Sequence, residues 1–143
     1  MVQQFLEFMA NHSILFTAFF VVLGMLVWNL VSETLQGASS VQPYEAALLI
    51  NHEDAIVLDV REENEYKQGH IINSVHIPLG KLSERMGRLE KYRNRPIITS
   101  CASGNRSAQM CSKLRKNGFE KVYNLKGGIY AWQSASLPLT RDK

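Results

Sequence analysis

The chain has few cysteines, and it has no basic residue before position 61. Only two cysteines occur among 143 residues, which excludes a framework of disulfides. No group of Cys and His has the spacing of metal ligands, and the basic residues form no block of one sign. The sequence therefore predicts neither a metal site nor a cofactor. Without a basic block or interleaved aromatic residues, nucleic-acid binding is not expected either.

Charge is also missing between residues 14 and 31, where Thr17 and Asn29 are the only polar side chains. A helix of this length spans about 27 Å at a rise of about 1.5 Å per residue, close to the hydrocarbon thickness of a bilayer. We therefore predict a transmembrane helix over residues 14–31, with Trp28 near its interfacial end. The alternative is a buried core helix, although such helices usually keep a polar face.

A cleaved signal peptide is a second alternative for this segment. Signal peptides begin with a positively charged region, whereas the tail over residues 1–13 carries only Glu7. The small residues at 36–40 would nevertheless permit cleavage. Because all 16 Lys and Arg residues follow position 60, we expect a single-pass protein of the inner membrane with a cytoplasmic C-terminal domain.

The rest of the chain alternates between strand and helix patterns. A polar linker over residues 32–40 leads into a domain over residues 41–143. The predicted strands cover residues 55–60, 74–77, 97–100 and 122–125. The predicted helices cover residues 43–51, 62–68 and 107–117, with a broken helix over 79–92 and a last helix that opens at Gly127-Gly128. This alternation predicts an α/β domain of three layers, in which helices flank a central parallel sheet.

A cysteine lies where the third of these strands ends. Cys101 begins a loop of small residues that leads into the helix over 107–117. The N–H groups of such a loop can converge on one point, and the helix N-terminus adds partial positive charge there. Both effects lower the pKa of a thiol and make its sulfur a better nucleophile. Arg106 adds a cation that can pair with an oxyanion, so the loop predicts sulfur or phosphate chemistry.

Three sets of motifs around this loop resemble those of the rhodanese family. The first signature is similar to Leu58-Asp59-Val60-Arg61, Glu65-Tyr66, Gly69-His70-Ile71 and residues 74–78. Residues 101–107 resemble the active-site loop of that family. Its second signature is similar to residues 125–129, Ala131-Trp132 and Leu137-Pro138. The resemblance covers residues 40–139 in the expected order, and the N-terminal segment resembles the anchor of membrane-attached bacterial members with a single domain.

The resemblance implies a rhodanese-like fold and a sulfurtransferase. Cys101 would form a persulfide with sulfur from thiosulfate or another sulfane donor, and a thiol, cyanide or protein acceptor would then take that sulfur. The substrate-binding residues would be those of the loop: Ala102, Ser103, Gly104, Asn105, Arg106 and Ser107. The anchor makes a membrane protein a candidate partner.

Other residues of interest have structural interpretations as well. We expect Asp59 and Arg61 to hold neighbouring loops by charge-assisted hydrogen bonds. Cys111 falls on the apolar stripe of its predicted helix, which favours a small buried side chain over a resolving thiol. His70 and His76 are interpreted as packing residues, with catalytic bases as the alternative.

Two rival functions remain open. Cysteine phosphatases have five residues between the cysteine and the arginine of their loop, whereas four separate Cys101 from Arg106. The shorter loop favours a single sulfur atom over a tetrahedral phosphate. The second rival is a membrane-tethered docking or regulatory module, in which the domain binds a partner without transferring sulfur.

Overall fold

The computed structural model describes residues 13–35 and 39–141. The chain divides into two units, Met1–Gly37 and Ala38–Lys143. Apart from residue 13, the predicted tail over 1–13 lies outside the described residues. Residues 36–38 of the predicted linker, where a signal peptidase would cut, lie outside them too.

The first unit contains helix α1, Ser13–Leu35, which includes the whole segment predicted as a transmembrane helix. Its apolar side chains are exposed over residues 14–28, except for the half-buried Phe16. In the part of the chain that the structure describes, we find no helix that is both long enough and apolar enough to cross a membrane. The predicted helix over 14–31 is therefore confirmed, whereas its passage through a membrane is not.

The second unit is built on a five-stranded sheet. Its strands are β1, Ser39–Val41; β2, Ile56–Asp59; β3, Val75–His76; β4, Ile97–Ser100; and β5, Val122–Leu125. They lie in the order β1-β5-β4-β2-β3, and every pair of neighbours is parallel. The predicted parallel sheet is confirmed, with one strand more than the sequence predicts.

The additional strand is β1, which begins inside the predicted linker over 32–40. Ser39 pairs with Tyr123 and Val41 with Leu125, and the Val41 carbonyl accepts a hydrogen bond from the N–H of Lys126 at 2.9 Å. A short edge strand needs only these backbone hydrogen bonds, so its small polar residues show no apolar pattern. Strand β1 thus includes residues 39 and 40 of the predicted linker.

In the described part of this unit, four α-helices and two 3-10 segments connect the strands, and a fifth α-helix follows β5. The helices are α2, Pro43–His52; α3, Glu63–Lys67; α4, Leu82–Arg85; α5, Asn105–Lys116; and α6, Gly128–Ser134. The 3-10 segments, Leu79–Lys81 and Met86–Tyr92, flank α4, which confirms the broken helix predicted there. Helices α2 and α3 each begin with a capping box, in which Glu45 or Glu65 accepts the N-cap N–H.

Two hydrophobic cores confirm the three layers. On one face of the sheet, Leu58 and Ile97 pack with Leu82, Leu89 and the buried side of α5. On the other face, Ala46 of α2 and Trp132 of α6 pack against the alternate residues of the same strands, which include Val57 and Ile98. The central strands are buried on both faces, which explains their continuous apolar pattern.

The parallel register brings two polar strand ends together. Strand β2 ends at Asp59 and β4 ends at Ser100, and these two residues are direct partners in the sheet. Cys101 follows Ser100 immediately. The carboxyl edge of the sheet therefore carries the predicted nucleophile beside the residues of the first signature, where ligands bind in open α/β sheets.

Candidate functional site

The Cys101 sulfur lies at the bottom of a compact loop between β4 and α5. Its residue is only 1% exposed. The Sγ atom accepts a hydrogen bond from the N–H of Gly104 at 3.1 Å and one from the Ser107 hydroxyl at 3.3 Å. The N–H groups of Ser107 and Ser103 also interact with the sulfur. The loop thus turns at least four donor groups towards one atom, in the geometry of an anion nest.

These donors decide the ionisation of the thiol. Burial raises the pKa of Cys101, but the hydrogen bonds from the Ser107 hydroxyl and from the N–H groups of residues 107, 104 and 103 outweigh it, so the pKa is lowered. Each bond favours the thiolate because a negative sulfur is the better acceptor. The arrangement therefore activates the sulfur as a nucleophile.

Gly104 gives the loop its shape. Its φ of +102° lies in the left-handed region that glycine adopts readily, and it is the N-cap residue of α5. Its carbonyl accepts a hydrogen bond from the Asn124 side chain at 3.1 Å and lies 3.0 Å from the Ser107 hydroxyl, which shares its one proton between this carbonyl and the Cys101 sulfur. Helix α5 consequently begins at Asn105, two residues earlier than the sequence predicts.

Arg106 does not face an empty anion site in the structure. Its two terminal nitrogens donate hydrogen bonds at 2.7 Å to the two carboxylate oxygens of Glu65. The hydrogen bond with Arg106 lowers the pKa of Glu65 to about 2, and the pair also raises the pKa of Arg106. The bidentate pairing expected with a substrate oxyanion is thus made with a side chain of α3.

Asp59 and Arg61 form a buried ion pair at the same edge of the sheet. The guanidinium of Arg61 donates to both carboxylate oxygens of Asp59, at distances from 2.7 to 3.1 Å. The same guanidinium donates to the carbonyls of Glu65 at 3.1 Å and Gly69 at 2.8 Å. It therefore ties the middle of α3, where the partner of Arg106 lies, and the residue after the C-cap of that helix to the end of β2.

A cavity of about 180 Å³ lies beside the loop. We call it the loop cavity. Its lining residues are Arg61, Glu65, Gln68, Gly69, Ala102, Ile129, Tyr130, Gln133 and Leu139. Apolar side chains, one phenol, two amides, one carboxylate and one guanidinium therefore surround the space next to the loop that begins at Cys101.

The remaining predicted residues have different positions. Ala102 directs its carbonyl to the N–H of Tyr130, and the side chain of Asn105 is exposed. Cys111 is fully buried, its sulfur lies 2.9 Å from the hydroxyl of Thr99, and burial raises its pKa. A thiol with a raised pKa and no exposure has the character of a packing residue rather than a resolving nucleophile.

The two histidines pack on one aromatic ring. Tyr66 stacks against His70 at 3.8 Å and against His76 at 4.2 Å between ring centroids. His76 also hydrogen-bonds the carbonyl of Arg61 at 2.8 Å, which places it in the scaffold of the buried ion pair. This stack favours the interpretation of both histidines as packing residues.

Three residues of the site do not appear among the sequence-predicted site residues: Glu65, Asn124 and Gly128. Glu65 neutralises Arg106 across 41 positions, and Asn124 holds the Gly104 carbonyl across 20. Gly128 brings the start of α6 against the loop, where the N–H of Ile129 donates to the Cys101 carbonyl at 2.8 Å. No local pattern shows such contacts, since their partners are distant in the sequence.

Comparison with known proteins gives one consistent result. The family model of the rhodanese-like domain matches residues 42–135. The uncharacterised protein YibN of Escherichia coli K12 is 32% identical over 142 residues, covering 99% of each chain. The thiosulfate sulfurtransferase GlpE of Coxiella burnetii is 32% identical over 90 residues, covering 63% of this chain and 82% of that protein. A crystal structure of a rhodanese-related protein from Thermoplasma volcanium, 35% identical, has a TM-score of 0.64 and covers 73% of this chain and 99% of its own.

Proposed function

Because this chain belongs to the rhodanese-like domain family, we propose that it is a sulfurtransferase in which Cys101 carries sulfur as a persulfide. The main support is the environment of the sulfur, which accepts hydrogen bonds from Gly104 and Ser107. Although burial raises the pKa of Cys101, these bonds lower it overall, which increases the thiolate fraction at neutral pH.

The proposed reaction has two half-reactions with a covalent intermediate. The Cys101 thiolate attacks the outer sulfur of thiosulfate or a similar sulfane donor. A bond forms between Sγ and that sulfur, and the bond from that sulfur to the rest of the donor breaks. With thiosulfate, sulfite leaves with the electron pair. A thiol, cyanide or protein acceptor then attacks the outer sulfur of the persulfide and regenerates the thiolate.

The loop stabilises negative charge throughout this sequence. The donors from Ser103, Gly104 and Ser107 are directed at Sγ, which is bonded directly to the outer sulfur that would carry the charge of the persulfide. Donors fixed before the reaction need little reorganisation, which lowers the barrier for forming an anion. Transfer of a neutral sulfur atom between thiolates changes no net charge, so the cycle is balanced without an oxidant or reductant.

Mass spectrometry of the protein after incubation with thiosulfate tests this proposal. We expect a gain of one sulfur atom that peptide mapping assigns to Cys101, and release of that sulfur when cyanide is added. Cys101→Ser should gain none. Cys111→Ala is the matched control and should still gain sulfur, because Cys111 is buried and hydrogen-bonded to Thr99.

Two further variants test the activation of the thiol in the same assay. Ser107→Ala removes the hydroxyl that donates to Sγ, so the pKa of Cys101 should rise and persulfide formation at neutral pH should slow severalfold. Ser103→Ala is its control, because Ser103 acts on the sulfur through its backbone N–H. Equal rates for both variants would contradict the proposed role of the hydroxyl.

The rival functions give different results. Turnover of an aryl phosphate without any sulfur gain would identify a phosphatase and overturn the proposal. If wild-type Cys101 gains no sulfur from any sulfane donor, and cellular effects of the protein persist in Cys101→Ser, the domain acts as a docking module.

We also propose that residues 14–31 attach the protein to the inner membrane, with the rhodanese-like domain in the cytoplasm. Five consecutive apolar residues, 19–23, are exposed in α1. Consecutive helical positions point in directions about 100° apart, so these side chains surround the helix and favour an apolar environment on all sides. Such an anchor favours a sulfur acceptor in or near the membrane.

Carbonate washing of membranes from cells that express the full chain tests this attachment. We expect the wild-type protein to stay with the membrane. The double variant Val21→Lys, Leu23→Lys should move to the soluble fraction, because each central charge opposes insertion by about 3 kcal/mol. Glu120→Lys, on an exposed site of the domain, is the control and should behave like the wild type. Recovery of the wild-type protein in the soluble fraction would overturn the proposal.

A further inference from the structure

The arginine of the active-site loop is neutralised by a residue that also lines the loop cavity. Both terminal nitrogens of Arg106 donate to Glu65 at 2.7 Å. Glu65 lines the loop cavity, whereas Arg106 is not among its lining residues. A donor that approaches Cys101 through this cavity therefore meets the Glu65 carboxylate, whereas the guanidinium that pairs with it lies outside the cavity lining.

The arginine that does line the loop cavity, Arg61, is also paired. Among the described residues that line the loop cavity, Arg61 is the only basic one, and it is 5% exposed. Its guanidinium donates to the carboxylate of Asp59 and to the carbonyls of Glu65 and Gly69. Neither arginine offers an unpaired charge to an incoming oxyanion.

The rest of the loop cavity is suited to an uncharged organic group. Ile129 and Leu139 supply apolar surface, Tyr130 supplies an aromatic side chain that is 64% exposed, and Gln68 and Gln133 supply amides. Ala102, the neighbour of the nucleophile, lies in the same wall. Apolar walls with a few amides recognise neutral polar compounds better than a small dianion.

We propose that Glu65 determines donor specificity, by making the site discriminate against dianionic thiosulfate in favour of organic persulfides whose organic group lies in the loop cavity. This inference rests on the proposed sulfurtransferase function. In the favoured reaction, the Cys101 thiolate attacks the outer sulfur of R–S–SH. The bond between the two donor sulfurs breaks, R–S⁻ leaves with the electron pair, and Cys101 becomes Cys–S–SH.

Like charges explain the discrimination. Thiosulfate brings two negative charges to a site that already holds the thiolate and, in the wall of the loop cavity, the Glu65 carboxylate, whose partner Arg106 does not line that cavity. An organic persulfide brings at most one, on the sulfur that the loop donors can stabilise. Like charges brought together in a partly desolvated site reduce the association rate and the affinity, and salt weakens the effect.

Single-turnover rates of persulfide formation on Cys101 test the inference, with thiosulfate as one donor and the persulfide of N-acetylcysteine methyl ester as the other. Glutamine keeps the size of Glu65. Its single oxygen, in the position of Oε2, can still accept hydrogen bonds from one nitrogen of Arg106 and from the N–H of Glu62, while the bond from the other nitrogen is lost. We expect Glu65→Gln to raise the rate with thiosulfate about tenfold, and high salt should reduce this increase. The rate with the organic persulfide should change less than about twofold.

The matched control is Glu63→Gln, which removes the same charge from the same helix. Glu63 pairs with Lys67 at 2.8 Å. This variant should leave both rates unchanged. If Glu65→Gln lowers both rates, Glu65 only positions the loop, and if it changes neither, the charge is irrelevant; either result overturns the inference. Absence of sulfur on wild-type Cys101 with both donors would instead refute the sulfurtransferase function itself.

Discussion

Replacing Gly128 with alanine is expected to destabilise the domain and to remove most of its sulfur transfer. A Cβ at this position would overlap the carbonyl oxygen of Cys101 and lie 2.6 Å from that of Ala102. The φ of +58° adds backbone strain for any residue with a side chain. Strain and overlap together should cost about 3 kcal/mol or more of the free energy of unfolding.

The loop cannot easily move away from such a methyl group. The N–H of Ile129 donates to the Cys101 carbonyl at 2.8 Å, and the N–H of Tyr130 donates to the Ala102 carbonyl at 3.2 Å. Relief of the overlap would break these bonds and disturb the donors around Sγ. The loss of stability and the loss of activity therefore have one cause.

Urea unfolding followed by circular dichroism, together with the mass-spectrometric assay, checks this prediction. Gly87→Ala is the matched control, because a Cβ at Gly87 meets no atom within 4 Å. That variant should unfold at the wild-type urea concentration or slightly above it, since alanine restricts the unfolded chain. Gly128→Ala with wild-type stability and a normally reactive Cys101 would contradict the geometry of this contact.

The fold could be predicted from the sequence wherever burial leaves a local pattern. Strands β4 and β5 have the predicted bounds, and β2 lies within the continuous apolar run over residues 55–60, which is typical of a strand buried on both faces. Strand β1 has no such run, and it forms only because β5 offers it a free edge. The start of α5 was also misplaced, since the left-handed Gly104 allows the helix to begin directly after it.

The site divides in the same way into local and distant contacts. Residues that act on Sγ lie within six positions of Cys101, so the loop pattern identified Gly104 and Ser107. The partner of Arg106 lies on α3, and only the folded sheet brings it there. A sequence pattern can therefore predict the nucleophile and its donors, whereas the charge that a substrate meets depends on tertiary structure.

The second large effect is expected at the buried ion pair. Asp59→Asn keeps the size of the side chain but removes its charge, while Arg61 remains 5% exposed beside it. A buried guanidinium without its carboxylate is strongly unfavourable, and we expect a loss of about 3–5 kcal/mol in the free energy of unfolding. Sulfur transfer should fall as well, because Arg61 holds the carbonyls of Glu65 and Gly69 only while it keeps its position.

Urea unfolding of single and double variants separates the ion pair from simple packing. The double variant Asp59→Asn, Arg61→Gln removes both charges, so it should lose less stability than the sum of the two single variants. Glu63→Gln breaks an exposed pair, with side chains 64% and 67% exposed, and should leave stability unchanged. Strictly additive losses at Asp59 and Arg61 would show that the two charges are not coupled, although their atoms approach to 2.7 Å.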